Sequence, residues 1–350
     1  MSFPFLQSYT GLSNSLQTAQ AGGAGGVGGW VELARTTLGS AGDVIDVTSL
    51  PDKRYYMILK AEIASGQIYG QGTFNGDTGN NYASRYEDNG GADGTQTTHN
   101  DMVHNINAHT NGYSWQVGYV ANRSASEKLC IFECTANGGA GASNAPNRRS
   151  AVNKWSNTSN AINQYTSTNG GTGSFDTGSE IIVCGWDPAD THTSNFWEEL
   201  ASVELGSSGD QLSTGSFSAK KYLWCQVFTK NSSTTNAKFT FNNDTGNNYA
   251  YRHNLNGSEG TSTSQPQFQI NAANGSAFYN MFIINNSANE KLVIGHTVDQ
   301  NTAGAGTAPD RLESVAKWAN TSSQITEIDV DNTSGGSFDT GSIIKVWGAD

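Results

Sequence analysis

The sequence predicts an all-β protein: two tandem homologous antiparallel β-sandwich domains with a jelly-roll-like arrangement, preceded by a flexible N-terminal arm. Two observations lead to this prediction. The stretch FNGDTGNNYASR at 74–85 returns as FNNDTGNNYAYR at 241–252, 167 positions later. The composition has few charged residues and 41 Gly among many Asn, Ser and Thr. Such a composition disfavours long helices and favours short strands joined by polar turns.

The repeat boundaries follow from two constant offsets. WVELARTTLGSAGD begins at Trp30 and WEELASVELGSSGD at Trp197, and no gap is needed as far as Arg85. Past a polar region that differs between the copies, KWSNTS at 154–159 matches KWANTS at 317–322 with an offset of 163. Each repeat is large enough to bury its own core. The predicted units are an arm and Gly-rich tether over 1–29, repeat 1 over 30–187, a linker over 188–196 and repeat 2 over 197–350.

Period-two patterning marks a long strand in each repeat. In repeat 1, Tyr55, Met57 and Leu59 alternate with Tyr56 and Ile58, and the matching segment of repeat 2 also alternates. Both sides of the first half of this strand are apolar. This is expected of a central strand in a two-layer sandwich and not of a sheet with one wet face.

The N-terminal segment carries no charged side chain before Glu32. It ends in AGGAGGVGG over 21–29, a Gly-rich run that should act as a flexible tether. Two interpretations stay open, a disordered tail and an extended arm that docks on a neighbouring subunit. The apolar residues of the partner-binding arm would be Phe3, Phe5, Leu6, Tyr9, Leu12 and Leu16.

Charge and cysteine content exclude several classes of protein. The net charge of −12 argues against a nucleic-acid partner, because the 19 basic residues are scattered. Cys130, Cys134, Cys184 and Cys225 have no cysteine at the matching place in the other copy, so we predict buried free thiols. No apolar run approaches the ~20 residues of a membrane span, and a secretion signal is not recognisable. We therefore expect a soluble protein made in a reducing cytoplasm, without membrane insertion.

The motif FDTGS occurs twice, at 175–179 and 338–342. It resembles the active-site motif of pepsin-like aspartic proteases, in which two lobes each contribute one Asp. Such a lobe continues for many tens of residues beyond its aspartate, whereas eleven follow Asp339. We expect a turn instead, in which the Asp side chain bonds backbone N–H groups and Gly supplies a positive φ.

The stretch DTGNNYA is shared without change by both copies, so both need the same local geometry. We predict a hairpin turn with left-handed Asn residues, packed tyrosines and an arginine paired with a carboxylate in each copy, Arg85 and Arg252. The residues of this repeated structural turn are Asp77, Gly79, Asn80, Asn81, Asp244, Gly246, Asn247 and Asn248.

A calcium site is the alternative for the same stretch. Asn75 and Asp77, with Asn242 and Asp244, offer oxygens that suit Ca²⁺. The spacing is not that of the twelve-residue calcium loop, and the bidentate Glu is missing. We therefore favour the turn and predict no metal and no cofactor.

Catalytic motifs are not found. The sequence has no GxSxG, no phosphate-binding GxxxxGK[ST] and no paired-His zinc motif. The six histidines do not match between the copies. They are His99, His104, His109, His192, His253 and His296. We therefore predict that the protein is not an enzyme.

The tryptophans divide into matched and unmatched positions. Trp30 matches Trp197 and Trp155 matches Trp318, and matched aromatic residues are predicted to lie in the core. The unmatched Trp115 and Trp186 are predicted to make exposed contacts, which leaves a sugar-binding module open.

The combined motifs WxELAxxxLGSxGD, TFNxDTGNNYAxR, EKLxI, AGAxxAPxR, KWxNTS and GSFDTGSxI resemble the jelly-roll-like structural proteins found in virions of marine and environmental tailed phages and related viruses. The resemblance covers 30–350. It implies a virion component that is assembled in the host cytoplasm and binds capsid or other virion proteins. It transfers no catalytic residue.

The leading hypothesis is a non-enzymatic virion structural protein, a decoration protein on the capsid surface. Its arm and one domain would bind the shell while the other domain faces solvent, in a homo-oligomer, with a trimer expected. One alternative is a tail or fibre adhesin whose polar loops at 88–111 and 254–269 bind host glycans. The other is a tandem jelly-roll major capsid protein.

Overall fold

A computed structural model describes most of the residues of both repeats. The described residues are 29–104, 112–123, 125–187, 195–231, 233–273, 276–300 and 306–350. The six apolar residues of the predicted arm, most of the predicted linker, His109 and His192 lie outside them.

The described residues form 24 strands and no helix, which confirms the all-β class. None of them, accordingly, belongs to a helix able to cross a membrane. Repeat 1 contains β1 (Val31–Thr37), β2 (Val44–Val47), β3 (Tyr55–Ser65), β4 (Gly70–Phe74), β5 (Tyr82–Asp88), β6 (Gly94–His99), β7 (Tyr113–Ala121), β8 (Lys128–Ala136), β9 (Asn147–Trp155), β10 (Tyr165–Asn169), β11 (Ser174–Phe175) and β12 (Glu180–Trp186). Repeat 2 contains β13 (Glu198–Glu204), β14 (Gln211–Ser213), β15 (Tyr222–Thr229), β16 (Thr235–Phe241), β17 (Tyr249–Leu255), β18 (Ser258–Gln265), β19 (Phe268–Ala273), β20 (Ala277–Ile284), β21 (Lys291–Asp299), β22 (Asp310–Trp318), β23 (Ile328–Asn332) and β24 (Ile343–Ala349).

Each repeat folds as a large and a small antiparallel sheet, which confirms the β-sandwich class. The large sheet of repeat 1 has the order β1-β12-β3-β7-β8-β9-β5-β6, with β11 paired to β3, and its small sheet is β2-β10-β4. The corresponding orders in repeat 2 are β13-β24-β15-β20-β21-β22-β17-β18 and β14-β23-β16-β19. Even the bulge in the first strand recurs, at Glu32/Ala34 and at Glu199/Ala201.

Each repeat has a core between its own two sheets. Repeat 1 packs Ile45, Phe74, Tyr82, Trp155 and Tyr165 there. Repeat 2 packs Phe239, Phe241, Tyr249, Trp318 and Val330 there. Both aromatic residues of the KWxNTS motifs are therefore core residues, as predicted for Trp155 and Trp318.

A third core lies between the two large sheets. It includes Met57, Leu59 and Trp115 from repeat 1 and Tyr222 and Leu292 from repeat 2. Both faces of β3 are apolar because its own small sheet covers one face and repeat 2 covers the other, so the two-layer interpretation of this strand was incomplete. The prediction that Trp115 is exposed was wrong, since its ring packs 5.4 Å from that of Tyr222 in this core.

The segment 74–85 is a connection between two sheets, and the predicted hairpin was wrong. It leaves β4 in the small sheet and enters β5 in the large sheet. The left-handed backbone lies before the Asp, at Asn75 and Gly76 (φ 54° and 63°) and at Asn242 and Asn243 (φ 52° and 56°). Two successive positive φ values reverse the chain tightly, and this reversal carries it from one sheet to the other.

Most of the described part of the two polar stretches predicted to be loops forms β-hairpins instead, and residues 105–111 of the first stretch lie outside the described residues. In repeat 1, β5 pairs with β6 through a turn at Asn89 and Gly90 (φ 54° and 81°). In repeat 2, β17 pairs with β18 through Asn256 and Gly257 (φ 51° and 92°). The Asn-Gly dipeptide is the strongest short-range hairpin signal. The second strands are Gly/Thr/Ser-rich because they form the sheet edges, where polar residues discourage pairing with other chains.

Candidate functional site: an uncovered apolar face on repeat 1

The two DTGNNYA segments have the same hydrogen bonds. The Asp77 carboxylate accepts from Gly79 N at 2.9 Å, from Asn81 Nδ2 at 3.0 Å and from Trp155 Nε1 at 2.7 Å. Asp244 accepts from the corresponding groups of repeat 2, with 2.7 Å to the matching indole. Burial acts to raise the pKa of Asp77, but these donors outweigh it and hold the pKa below its ordinary value. The motif therefore ties the sheet connection to the core tryptophan.

The same geometry uses the oxygens that a calcium site would need. Besides the two Asp carboxylates, Asn75 Oδ1 accepts from Asn163 N, and Asn242 Oδ1 from Thr326 N, both at 2.8 Å. Within the described ranges, no three His, Cys, Asp or Glu residues are grouped to hold a metal ion. The residues of the calcium hypothesis therefore act as hydrogen-bond partners of the turns. Arg85 and Arg252 pair with Asp93 and Glu259, as predicted.

The FDTGS segments are turns. Asp176 Oδ1 accepts from Thr177 N at 2.7 Å, Ser179 N donates to Asp176 O at 3.1 Å, and Gly178 has a φ of 87°. In repeat 2 the corresponding glycine, Gly341, has a φ of 90°. The turn prediction is confirmed. The prediction of buried free thiols is confirmed for all four cysteines as well.

Repeat 1 contains a buried polar network that had no sequence signal. Lys60 Nζ lies 2.8 Å from Glu62 Oε1, and both side chains are fully buried. Beside them, His104 contacts Gln116 Oε1 at 3.0 Å and the Tyr165 hydroxyl at 3.1 Å. Burial and the Lys60 charge hold the pKa of His104 well below its ordinary value. None of these residues lines the two cavities on the outer face of the large sheet, and all of them are buried, so the network is part of the core of repeat 1.

The outer face of the large sheet of repeat 1 is only partly covered by repeat 2. Leu129 exposes 57% of its surface, and Ile131 and Val152, its neighbours on the same face, are also exposed. Here β8 has apolar residues on both faces. We call this surface the open face; it consists of Trp30, Tyr55, Tyr119, Leu129, Ile131, Val152 and Trp186.

The open face contains an aromatic groove of about 370 Å³. The rings of Tyr55 and Trp186 stack in it, 5.4 Å apart with an interplanar angle of 18°. Trp186 is half-buried and lines the groove, in agreement with its predicted availability for contacts. Trp30 is also half-buried and lines the same groove, so the prediction that it lies in the core was wrong. A second depression, of about 490 Å³, continues from Leu129 and Ile131 across Val152.

Repeat 2 has the same apolar face, but there it is covered. Leu292 matches Leu129 and exposes 0%, and Ile294 and Val315, which match the other two exposed residues, are buried in the third core. Phe282 matches Tyr119, and the two rings contact each other at 6.3 Å. The difference in exposure therefore comes from the packing of the repeats and not from the residues.

Repeat 2 exposes the surface that repeat 1 buries. Phe228, Phe278 and Val298 are paired neighbours on three adjacent strands and are all exposed, and the half-buried Ile343 pairs with Phe228. We call these four residues the exposed row. Phe278 exposes 40%, whereas the matching Trp115 exposes 0%. The contact between the repeats is therefore heterologous, because it uses different surfaces of the two copies.

Ionisable residues join the repeats beside the third core. Arg148 contacts Glu87 in its own repeat and donates to Glu313 Oε2 of repeat 2 at 2.8 Å. His296 Nε2 lies 3.7 Å from Glu133 Oε1. Burial, reinforced by the neighbouring carboxylates, raises the pKa of Glu133 to about 8. We call these five residues the junction cluster.

The first polar hairpin also packs at this junction. A Cβ added at Gly90 would lie 3.2 Å from Asn254 Nδ2 and 3.2 Å from Glu259 Cβ. Arg252 Nε donates to Pro146 O at 3.1 Å. The turn of the first hairpin therefore contacts the second hairpin, and this part of the predicted glycan-binding loops is an internal contact.

No family model matches the chain, and no curated protein matches it in sequence. Among solved structures, domains LG4-5 of the mouse laminin alpha1 chain are 9% identical, with 91% of this chain and 90% of that one covered and a TM-score of 0.17. The attachment invasion locus protein Ail of Yersinia pestis, solved with a heparin analogue, is 6% identical, with 77% and 99% covered and a TM-score of 0.14. Neisserial surface protein A is 7% identical, with 80% and 99% covered and a TM-score of 0.11. Likeness at these scores carries no argument about fold or function.

Proposed function

We propose that the protein is a non-enzymatic structural component of a virus particle, a decoration protein on the surface of the shell. The observation that carries the proposal is the open face of repeat 1. The assignment to a virus particle is supported by the sequence motifs of the chain, which resemble those of virion proteins. The open face supports the role in assembly.

A contiguous apolar surface of this kind is expected at a protein contact. Monomeric proteins rarely expose large apolar patches, and the centres of protein interfaces are rich in aromatic residues and poor in charged ones. The groove between Trp30, Tyr55 and Trp186 has this composition, and its other lining residues are Tyr, Val, Ala, Leu and Ile. In repeat 2 the matching face already binds protein, namely repeat 1.

The stacked rings of Tyr55 and Trp186 favour one further candidate, a tail or fibre adhesin that binds glycans. A sugar site also needs convergent polar groups that hydrogen-bond the hydroxyls and fix the orientation of the ligand. The groove offers few such groups, and the first polar hairpin packs at the repeat junction through Gly90. We therefore place the protein contact first.

Purified particles test the proposal. Particles are banded on a density gradient, and the ratio of this chain to the major shell protein is measured by quantitative mass spectrometry. Many copies per particle, fewer than those of a separate shell protein, are expected. A chain that is found only in the tail would favour the adhesin. A chain that itself forms the shell would be the major capsid protein. Absence from the particles would overturn the virion proposal.

A matched pair of variants tests the role of the open face on the particle. Ile131→Asp places a charge in the groove and should abolish incorporation. Val44 exposes 48% of its surface but lies on β2 of the small sheet, so Val44→Asp is the control and should be incorporated normally. Normal incorporation of Ile131→Asp would remove the open face from the proposal.

A further inference from the structure

We propose that the open face of repeat 1 binds the exposed row of repeat 2 in a second copy of this chain, so that copies associate head to tail. The inference rests on the proposed function, because both assign the open face to a protein contact. It goes further by naming the occupant. The two can fail separately, since this one is tested on purified protein without particles.

The first step is the contact within the chain. On repeat 1, Ala61 and Trp115 are paired neighbours on β3 and β7, and repeat 2 buries both. Repeat 2 covers this region with the third-core residues Tyr222 and Leu292, and the Tyr222 ring lies 5.4 Å from that of Trp115. One pair of complementary surfaces is therefore already present and occupied.

The second step follows from the duplication. The covering residues Tyr222 and Leu292 match Tyr55 and Leu129 on the open face of repeat 1. The covered Ala61 and Trp115 match Phe228 and Phe278 in the exposed row of repeat 2. Each surface left uncovered is thus the counterpart of one partner in a contact that forms inside the chain. A second copy supplies both missing partners at once.

The third step is the chemistry of the exposed row. Its four members are apolar, whereas two of their counterparts in repeat 1 are polar, Glu180 and Thr135, with Val298 in place of Thr135. Selection for a solvated strand would place polar residues at the uncovered positions and apolar ones at the covered positions. The exposed row is instead entirely apolar, and both polar residues stand at covered positions, which indicates that the exposed row is covered in the assembled state.

The polar contacts are consistent with the same assignment. Inside the chain, Glu180 accepts from Lys221 Nζ at 2.8 Å and contacts the Tyr222 hydroxyl. Ile343 replaces Glu180 in the exposed row, so a contact between copies cannot repeat this ion pair. The residues that line the groove around Trp186 carry no formal charge. A contact between copies would therefore not bury a charge of the groove that needs a carboxylate such as Glu180 as its partner.

A heterologous contact predicts a specific kind of assembly. Each copy offers one open face and one exposed row, so copies add head to tail and either close into a ring or extend as a filament. A closed ring of three chains would agree with the trimer expected from the sequence.

Surface variants separate this arrangement from the others. Sedimentation velocity is measured on the full chain over a series of concentrations, with Ile131→Asp blocking the open face and Phe278→Asp blocking the exposed row. Val152→Asp and Val298→Asp are second variants on the same two surfaces, and near-UV circular dichroism confirms that each variant is folded. Val44→Asp is the control.

We expect the wild type and Val44→Asp to associate with rising concentration and each blocked variant to sediment as one chain. An equimolar mixture of the open-face and exposed-row variants should form dimers and nothing larger, because only one intact pair of surfaces remains. Deletion of residues 1–28 should leave association unchanged.

Four results would overturn the proposal. They are a wild type that stays monomeric at every concentration, an exposed-row variant that associates normally, a mixture of blocked variants that stays monomeric, and association that first appears when residues 1–28 are removed. The last result would mean that the N-terminal segment occupies the open face.

Discussion

Leu292→Ala is expected to cost far more stability than Leu129→Ala, although the two residues hold the same position in the two repeats. Leu292 exposes 0% of its surface and packs in the third core. Its truncation removes buried apolar surface and leaves a cavity, which costs ~2–5 kcal/mol. Leu129 exposes 57% of its surface, so less than half of it is buried in the folded protein. Its truncation removes little buried apolar surface and should lower the free energy of unfolding by less than ~1 kcal/mol.

Urea titration measures the difference. The two variants and the wild type are unfolded at low protein concentration, where association between copies is weak, and the midpoints are compared at a common slope. The free energy of unfolding should fall by at least ~2 kcal/mol more for Leu292→Ala than for Leu129→Ala. Equal losses would show that part of the chain itself covers Leu129 in solution, and would refute the assignment of the open face.

Three further predictions concern the polar groups. Lys60→Val leaves the Glu62 carboxylate buried without its counter-charge and should lower the free energy of unfolding by ~3–5 kcal/mol in a denaturant titration. The double variant Lys60→Val, Glu62→Thr introduces the pair that repeat 2 has at these positions, and it should recover most of that loss. Asp244→Ala removes the acceptor of Trp318 Nε1 and should cost about 1–2 kcal/mol, with a changed near-UV signal of the indole. In the folded protein the pKa of Glu133 is about 8, whereas in the unfolded chain it is about 4.3. Because the folded state holds this proton more tightly, the contribution of Glu133 to the free energy of unfolding is lost as the pH rises from about 4.3 to about 8. Buried His104 and half-buried His296, whose pKa values are held below the ordinary value, have the opposite effect on stability up to about pH 6.5. The Tm of the wild type should therefore fall relative to that of Glu133→Gln as the pH rises from about 4.3 to about 8; parallel profiles of the two proteins would contradict the assignment.

The sequence predicts the fold because its signals are local and occur twice. The repeated turn residues, the alternating pattern of β3 and the matched tryptophans each follow from short stretches. The hairpins at Asn89 and Asn256 were also accessible, since each precedes a Gly and Asn-Gly favours a tight hairpin turn. These hairpins were predicted to be loops because β6 and β18 are polar, and an exposed edge strand resembles a loop in composition.

The candidate site could not be predicted in the same way. Leu129 and Leu292 are the same residue in the same motif, EKLxI, and yet one is exposed and the other buried. Exposure is decided by which part of each sheet the other repeat covers, and this depends on contacts between residues far apart in the chain. Trp115 was misjudged for the same reason, because no local signal distinguishes a residue covered by the other repeat from one in contact with solvent.

Thiol labelling tests the central claim most directly, namely that duplicated faces have opposite exposure and that the uncovered one binds a second copy. Val152→Cys and Val315→Cys replace matched residues, one exposed and one buried, and the four native cysteines are buried and should not react. The rate of maleimide labelling is measured in the folded full chain over a series of protein concentrations. We predict fast labelling at position 152 in dilute protein, slower labelling as the concentration rises, and protection at position 315 throughout. Equal protection of both positions in dilute protein, or labelling at position 152 that does not depend on concentration, would contradict the account.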